Sequence, residues 1–488
     1  MFSMNHTYYN NEGSALIKSA GLYIHIPFCV KKCNYCDFLS FPADDLARQA
    51  YMECLEKELD HVLHLMKNKG EIISTAYIGG GTPSVLPAEW ICKLVSRIRE
   101  SGLMAAGSLG PAGGSDTVDG SVKTRTLDTA DDRSAEITIE VNPGTVDYDK
   151  LRAYAQAGIN RLSMGVQSFH DDELRLLGRI HSAADAIQTF DLARKAGFDN
   201  ISLDLMSGLP GQTIKKYQTS LEEAVKLAPK HISSYSLIIE EGTPFYQTYG
   251  PDWSAQEEQE EQDRLMYNLT NQFLADHGYH RYEISNYAME GWESRHNSSY
   301  WTGTPYYGIG LGASSLIRED CSGRPDQVQK RSEGNCDEES GNKVSAEVPC
   351  IWRRTRNTAD MKTYLAAGEQ MSVKGIETRS SFESFCPLEE DVVLSLQDRM
   401  EEFMFLGLRM TEGISEADFA ERFGRSLMQV YGMQVSELIE EGLMVQEMTN
   451  LLVQEMTNST AASDTDYRLR LTERGLDLSN YCFARFLC

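Results

Sequence analysis

Apolar positions recur along this chain at two spacings, and the spacing switches regularly through its first half. Leu22 to Ile26 is an uninterrupted apolar run ended by Pro27, which reads as a short buried strand. Asp44 to Met66 then places Leu46, Tyr51, Leu55, Leu59, Val62, Leu63 and Met66 on one helical stripe. Thr75 to Ile78 predicts a second strand, with a helix after Pro87. Glu136–Asn142, Asn160–Val166, Asn200–Met206 and His231–Leu237 predict four more strands. Between them, helices are predicted from Asp147, over Ala183–Ala196 and over Lys215–Leu227. Such strand–helix repeats over about 220 residues imply a parallel sheet with right-handed crossovers. Polar residues stand at successive strand ends, so the expected class is α/β, an open partial barrel with its chemistry at the C-terminal strand edge.

Farther on, Ala255–His277 predicts a Glu-rich helix with Leu265, Leu269 and Phe273 on one face. From about Glu389 the pattern turns helical: Asp391–Leu408, Ser415–Arg422 and Leu427–Glu441, then a strand at Tyr467–Leu471 and a last helix after Thr472. Three helices and a small hairpin predict a winged-helix-like α+β domain over 389–488, without a basic recognition face. Two stretches break the periodicity, about 101–134 and 318–350, and read as irregular inserts on a barrel domain of 21–317. Residues 351–388 read as a connecting segment, and 1–20 as a mobile tail. Leu443–Asn450 (LMVQEMTN) recurs as Leu451–Asn458 (LLVQEMTN), a local duplication that lengthens the hairpin.

Composition narrows the function. Lys plus Arg number 46 against 72 Asp plus Glu, a net charge of −26, which argues against nucleic acid and anionic membranes as partners. No apolar run reaches the ~18 residues of a membrane span. Eleven cysteines, an odd count, and no secretory pattern point to a reducing cytoplasm rather than a disulfide scaffold. Cys321, Cys336 and Cys350 are too widely spaced for a compact metal loop.

The candidate chemistry begins at Cys29, Cys33 and Cys36, a C-x3-C-x2-C loop just after the first strand. Three thiolates can ligate three irons of a cubane [4Fe–4S] cluster and leave the fourth iron open to a small chelating molecule. Lys31 and Lys32 between them favour thiolates. The spacing equally admits zinc with a distant fourth ligand, or free thiols. Gly79-Gly80-Gly81-Thr82-Pro83 at the next strand end lets a backbone approach a ligand closely, or serves only as a tight turn. Glu140 suits hydrogen bonds from hydroxyls or a turn cap, and Arg179 a two-pronged carboxylate contact or an ordinary ion pair. Gln167 and Asp204 suit polar positioning. His296-Asn297-Ser298-Ser299-Tyr300-Trp301 joins a candidate axial ligand to two large aromatic faces; the plainer reading is a surface turn whose aromatics pack on the barrel end.

The stretch YIHIPFCxxxCxYC closely resembles the cluster loop of radical S-adenosylmethionine (SAM) enzymes, in the branch of oxygen-independent coproporphyrinogen III oxidase and its relatives. The resemblance implies a partial (β/α)6 TIM-like barrel, a [4Fe–4S] cluster on Cys29, Cys33 and Cys36, and bound SAM. By motif position it implies SAM contacts from Tyr23, Tyr35, Gly80, Gly81, Thr82, Glu140, Gln167, Arg179, Asp204 and Ile238. The H-N-x-x-Y-W run resembles a signature of the HemW-type heme chaperones in the same branch, which implies heme at His296, Asn297, Tyr300 and Trp301 and an acceptor protein that receives it. Any membrane association would then run through that acceptor. The oxidase carries one more cysteine two residues after the third; here that place is Phe38, and the segment before the loop is short. Both favour a heme chaperone over the alternative, oxidative decarboxylation of coproporphyrinogen III. A zinc-stabilised binding protein is the third reading.

Overall fold

The computed structural model describes residues 18–105, 134–253, 256–320, 350–370, 384–448 and 467–487. The tail before residue 18, nearly all of both inserts with Cys321 and Cys336, and the second copy of the duplication lie outside them.

Six parallel strands form the centre: β1 (Lys18–Ile26), β2 (Glu71–Gly80), β3 (Glu136–Val141), β4 (Arg161–Gln167), β5 (Asn200–Ser207) and β6 (His231–Ser236). Their order in the sheet is their order in the chain, as right-handed crossovers of consecutive βα units require. One face of each strand is apolar. Ile137, Ile139 and Val141, then Leu162, Met164 and Val166, then Ile201, Leu203 and Leu205 are all buried against the surrounding helices. The helix Asp45–Lys69 is capped by the Asp44 side chain, which accepts from Ala47 N, and is closed by Gly70 at φ 67°.

The sheet continues past the six predicted strands on both sides, to the order β12-β11-β10-β9-β1-β2-β3-β4-β5-β6-β8-β7. The added strands are β7 (His280–Arg281), β8 (Asn286–Ala288), β9 (Tyr306–Ile309), β10 (Ser314–Asp320), β11 (Cys350–Asn357) and β12 (Leu388–Leu394). Thus the stretch read as a connector supplies a strand, and residues read as the start of a helix supply another. The helix begins only at Leu396, where Ser395 and Asp398 form a capping box. Strands β10 to β12 lack apolar alternation because charge pairs link them: Arg353 with Glu319 and Asp391, and Arg356 with Glu389.

The C-terminal domain has its own core, built from Met404, Phe419, Leu427, Tyr431, Val435, Leu438 and Leu469. Helices Leu396–Gly407, Glu416–Phe423 and Leu427–Glu440 pack with a three-stranded sheet, β13 (Ile414–Ser415), β15 (Tyr467–Leu471) and β14 (Met444–Met448), in the winged-helix-like arrangement expected. The predicted last helix is two short ones, Glu473–Asp477 and Ser479–Ala484. Among the described residues no helix is long and apolar enough to cross a membrane.

Candidate functional site: a cysteine loop at the strand edge

Pro27 offers no N–H to continue β1, and the chain turns out into the cysteine loop. Backbone bonds from Cys29 N to Phe41 O (3.1 Å) and from Phe41 N to Pro27 O (2.9 Å) close its base. Asn34 pins its tip: its amide donates to Leu176 O at 2.8 Å, its N–H to Leu177 O at 2.9 Å, and its carbonyl accepts from Phe245 N at 2.9 Å. Tyr35 packs into the apolar cluster of Leu177, Met206, Leu209, Leu237, Ile239 and Phe245. Cys29 is buried; Cys33 and Cys36 are partly exposed. The Arg179 Nη1 lies 3.6 Å from Cys33 Sγ, and Cys29 Sγ lies 3.5 Å from Thr82 Oγ1. Burial pushes the Cys36 thiol up, and Cys33 adds to this, while the Phe38 N–H, Lys32 and Ser40 act the other way. Arg179 is held above its ordinary value: burial opposes its charge, but Tyr35 and Cys33 outweigh that. No three His, Cys, Asp or Glu side chains among the described residues gather tightly enough for a single metal ion. Three thiols on one short loop beside a guanidinium suit a cubane, whose cysteines each take a different iron. The donor set fits a cubane.

The glycine turn is locked to this loop. Gly81 N donates to Ile26 O and Thr82 N to Phe28 O, both at 2.8 Å. Gly80 has φ 114°, and a Cβ there would stand 2.5 Å from the His25 ring. At Gly81 a Cβ would meet Phe28 O at 2.8 Å, and at Gly79 it would meet Tyr77 at 2.6 Å and Glu140 at 2.8 Å. All three glycines are needed for packing before any ligand is considered.

The other predicted contacts line the same edge. Glu140 accepts from Tyr77 OH (2.9 Å) and from Gly80 N (3.0 Å). Burial pushes its carboxyl up to about 7, with Asp204 adding and the Tyr77 and Gly80 bonds opposing. Asn142, two residues on and so on the same strand face, donates to Thr82 Oγ1 at 2.7 Å and accepts from Arg179 Nη2 at 2.6 Å. Arg179 Nη2 also donates to Gly165 O at 2.6 Å. Gln167 occupies φ 69° at a bulge between β4 and β5, strain that is uncommon away from functional sites. Asp204 accepts from Ser163 and Ser202; burial raises its carboxyl, against Ser233, Arg161 and those two serines. Tyr23 donates to or accepts from His25 Nδ1 at 3.0 Å, and Ile238 is 68% exposed in the loop after β6.

The barrel interior is polar. Tyr77, Thr138, Glu140, Arg161, Ser163, Ser202, Asp204, His231 and Ser233 occupy the strand positions that alternate with the apolar outer face. Arg161 is fully buried, and its Nε has no hydrogen-bond partner among the described residues. Period-two polarity in EITIEV, RLSMGVQ and NISLDLMS marks this lumen in the sequence. Neither Tyr77, Arg161, Asn34 nor Asn142 emerges from motif reading.

The H-N-x-x-Y-W run is not a surface turn. It is a helix, Arg295–Trp301, capped by Ser294 and anchored at its start by Glu136, which accepts from Arg295 N and His296 N at 3.1 Å each. It precedes β9, parallel to β1, and so enters from the N-terminal strand ends, opposite the cysteine loop. His296 is buried; its Nδ1 bonds Thr75 Oγ1 at 2.8 Å and its Nε2 bonds Tyr300 OH at 2.9 Å. Burial, then Arg161, pushes its imidazole down to about 3, so it is neutral with both nitrogens engaged. An iron could reach it only after one of those bonds opened. Asn297 is half-buried, and Trp301 lies under the Arg409 guanidinium at 4.2 Å. The structure thus separates the four motif residues from the cysteine edge.

Comparison with known proteins agrees with this architecture. Residues 23–224 match the radical SAM superfamily and 394–456 the HemN C-terminal domain. The chain is 34% identical to the heme chaperone HemW of Bacillus subtilis over 96% of this chain and 99% of that one. It is 38% identical to the heme chaperone HemW of Escherichia coli over 61% and 70%. Coproporphyrinogen III oxidase (HemN) from Escherichia coli, a radical SAM enzyme, shares the fold at a TM-score of 0.63 and 20% identity over 96% of this chain and 90% of that one. The chain belongs to the heme chaperone HemW family of the radical SAM superfamily.

Proposed function

We propose that this protein binds heme and hands it to an acceptor protein, with a [4Fe–4S] cluster on Cys29, Cys33 and Cys36 and SAM at the same strand edge. The observation that carries the reading is the cysteine loop itself: three thiols, one against Arg179, with Phe38 where an oxidase has its extra cysteine, in a chain related end to end to heme chaperones. When bound, the cluster would offer one open iron to SAM's amino and carboxylate groups. Gly80, Gly81 and Thr82 would meet the methionine end, Glu140 the ribose hydroxyls, and Arg179, Gln167 and Asp204 the remaining polar groups. Tyr23, Tyr35 and Ile238 would frame the pocket. Heme enters this reading from the relatives' name, and the acceptor is a protein able to take heme. The test is heme binding without porphyrinogen turnover in one cluster-loaded sample.

The raised Glu140 carboxyl gives the SAM reading a pH signature. Tyr77 and the Gly80 N–H face this group, with Asp204 across the lumen and Tyr23 beside it. Only the ionised form offers both oxygens to ribose hydroxyls, and it dominates above about 7. SAM affinity is therefore expected to fall as pH drops from 8 to 6, by up to about tenfold per unit below the transition. Equilibrium dialysis across that range reads it, and Glu140→Gln is expected to flatten the profile.

A further inference from the structure

We infer that His296 is a positioning residue for Glu140, acting through a stacked column of aromatic rings from the far end of the barrel. The inference rests on the reading of Glu140 as a SAM contact. The His296 imidazole stacks on Tyr77 at 5.1 Å between centroids and 21° between planes. Tyr77 stacks in turn on Tyr23 at 6.3 Å and 28°. Tyr77 OH donates to Glu140 Oε1 at 2.9 Å, so the ring that His296 supports holds the carboxylate. The column has no slack on that side, since a Cβ at Gly79 would strike both Tyr77 and Glu140. Its second branch runs from Tyr23 OH to His25 Nδ1 (3.0 Å) and from His25 Nε2 to Leu39 O (2.9 Å), at the end of the cysteine loop.

His296 itself is held from below. Thr75 and Tyr300 fix its ring plane through the two nitrogens, and Glu136 fixes its backbone. The last turn of its helix faces the C-terminal domain, where Arg409 covers Trp301 and Arg422 Nη1 donates to Thr302 O at 2.9 Å. The H-N-x-x-Y-W helix therefore touches the C-terminal domain with one end and the column beneath Glu140 with the other.

The experiment measures SAM and heme affinity on cluster-reconstituted full-length protein, with cluster absorbance and thermal melts as fold controls. His296→Ala is expected to weaken SAM about tenfold, through the loss of the ring that supports Tyr77. His296→Phe, which keeps the stack and drops the hydrogen bonds, is expected to stay within about threefold of the parent for SAM. Tyr77→Phe, which keeps the stack and cuts the link to Glu140, is expected to reproduce the His296→Ala loss. The double variant is then expected to be no worse than Tyr77→Phe alone, which general loosening of the barrel would not produce. Parent-like SAM binding in His296→Ala, alongside loss in Glu140→Gln, overturns the inference and leaves the SAM reading standing. Unchanged SAM binding in Glu140→Gln overturns that reading and the inference with it. Loss of heme with SAM intact in His296→Ala overturns the inference in favour of an iron ligand.

Discussion

Cys33→Ala is expected to leave the protein folded and without its cluster. Iron after anaerobic reconstitution should fall from about four per chain to well below one, and the broad absorbance near ~400 nm should vanish. The expectation follows from the thiol count. With two cysteines left on the loop, a cubane would have two unligated irons. Cys33 is also the cysteine that faces Arg179, so its loss removes the sulfur beside that guanidinium. The loop should keep its path, because Asn34, Phe41 and Tyr35 hold it through bonds and packing that do not involve sulfur. Thermal melts of the metal-free parent and variant should therefore agree within a few degrees. Full iron content in Cys33→Ala would sink the ligand assignment.

Glu58→Ala is expected to be among the most damaging single substitutions for stability. Glu58 is buried on the helix Asp45–Lys69 and joins three parts of the barrel. It accepts from Gly310 N at 2.8 Å, from Asn357 Nδ2 at 2.7 Å and from Tyr364 OH. Alanine strands the buried Gly310 N–H and Tyr364 OH, leaves the Asn357 amide only its bond to Gly310 O, and opens a cavity, a cost of about 3–5 kcal/mol, read as a melting point lower by roughly 5–12 °C. Burial raises the Glu58 carboxyl from 4.5 to about 7 despite the bonds from Tyr364, Gly310 and Asn357. A folded-state value above the unfolded one means the group contributes most below about 4.5 and loses that contribution as pH rises through about 7. The melting point of the parent, relative to Glu58→Gln, should accordingly decline between those limits. A flat difference would show that Glu58 titrates normally.

The apolar half of each barrel strand was legible because it has a single task, packing against helices. Ile137, Ile139 and Val141 announce β3 without any knowledge of what faces the other way. The cysteine loop and the glycine turn were legible as chemistry because few other arrangements need those residues at that spacing. The polar half was not. Tyr77 and Arg161 look like ordinary strand residues until the sheet curves and places them in one lumen. Asn34 and Asn142 act through long-range bonds, to Leu176 in one case and to Thr82 and Arg179 in the other, which no local pattern encodes. Strands β10 to β12 escaped for a different reason: arginine–carboxylate pairs link them, and such pairs leave no apolar period. The helix Arg295–Trp301 is short and aromatic, so its burial depends wholly on the barrel that receives it.

The central claim, heme handling rather than porphyrinogen oxidation, is tested most directly by one anaerobic experiment on cluster-reconstituted protein. Heme is titrated while coproporphyrinogen III is assayed in parallel with SAM and a reductant. The account predicts saturable heme binding near one equivalent, with no protoporphyrinogen formed. Porphyrinogen turnover accompanied by 5′-deoxyadenosine would contradict it, and would show that Phe38 is compatible with oxidase chemistry.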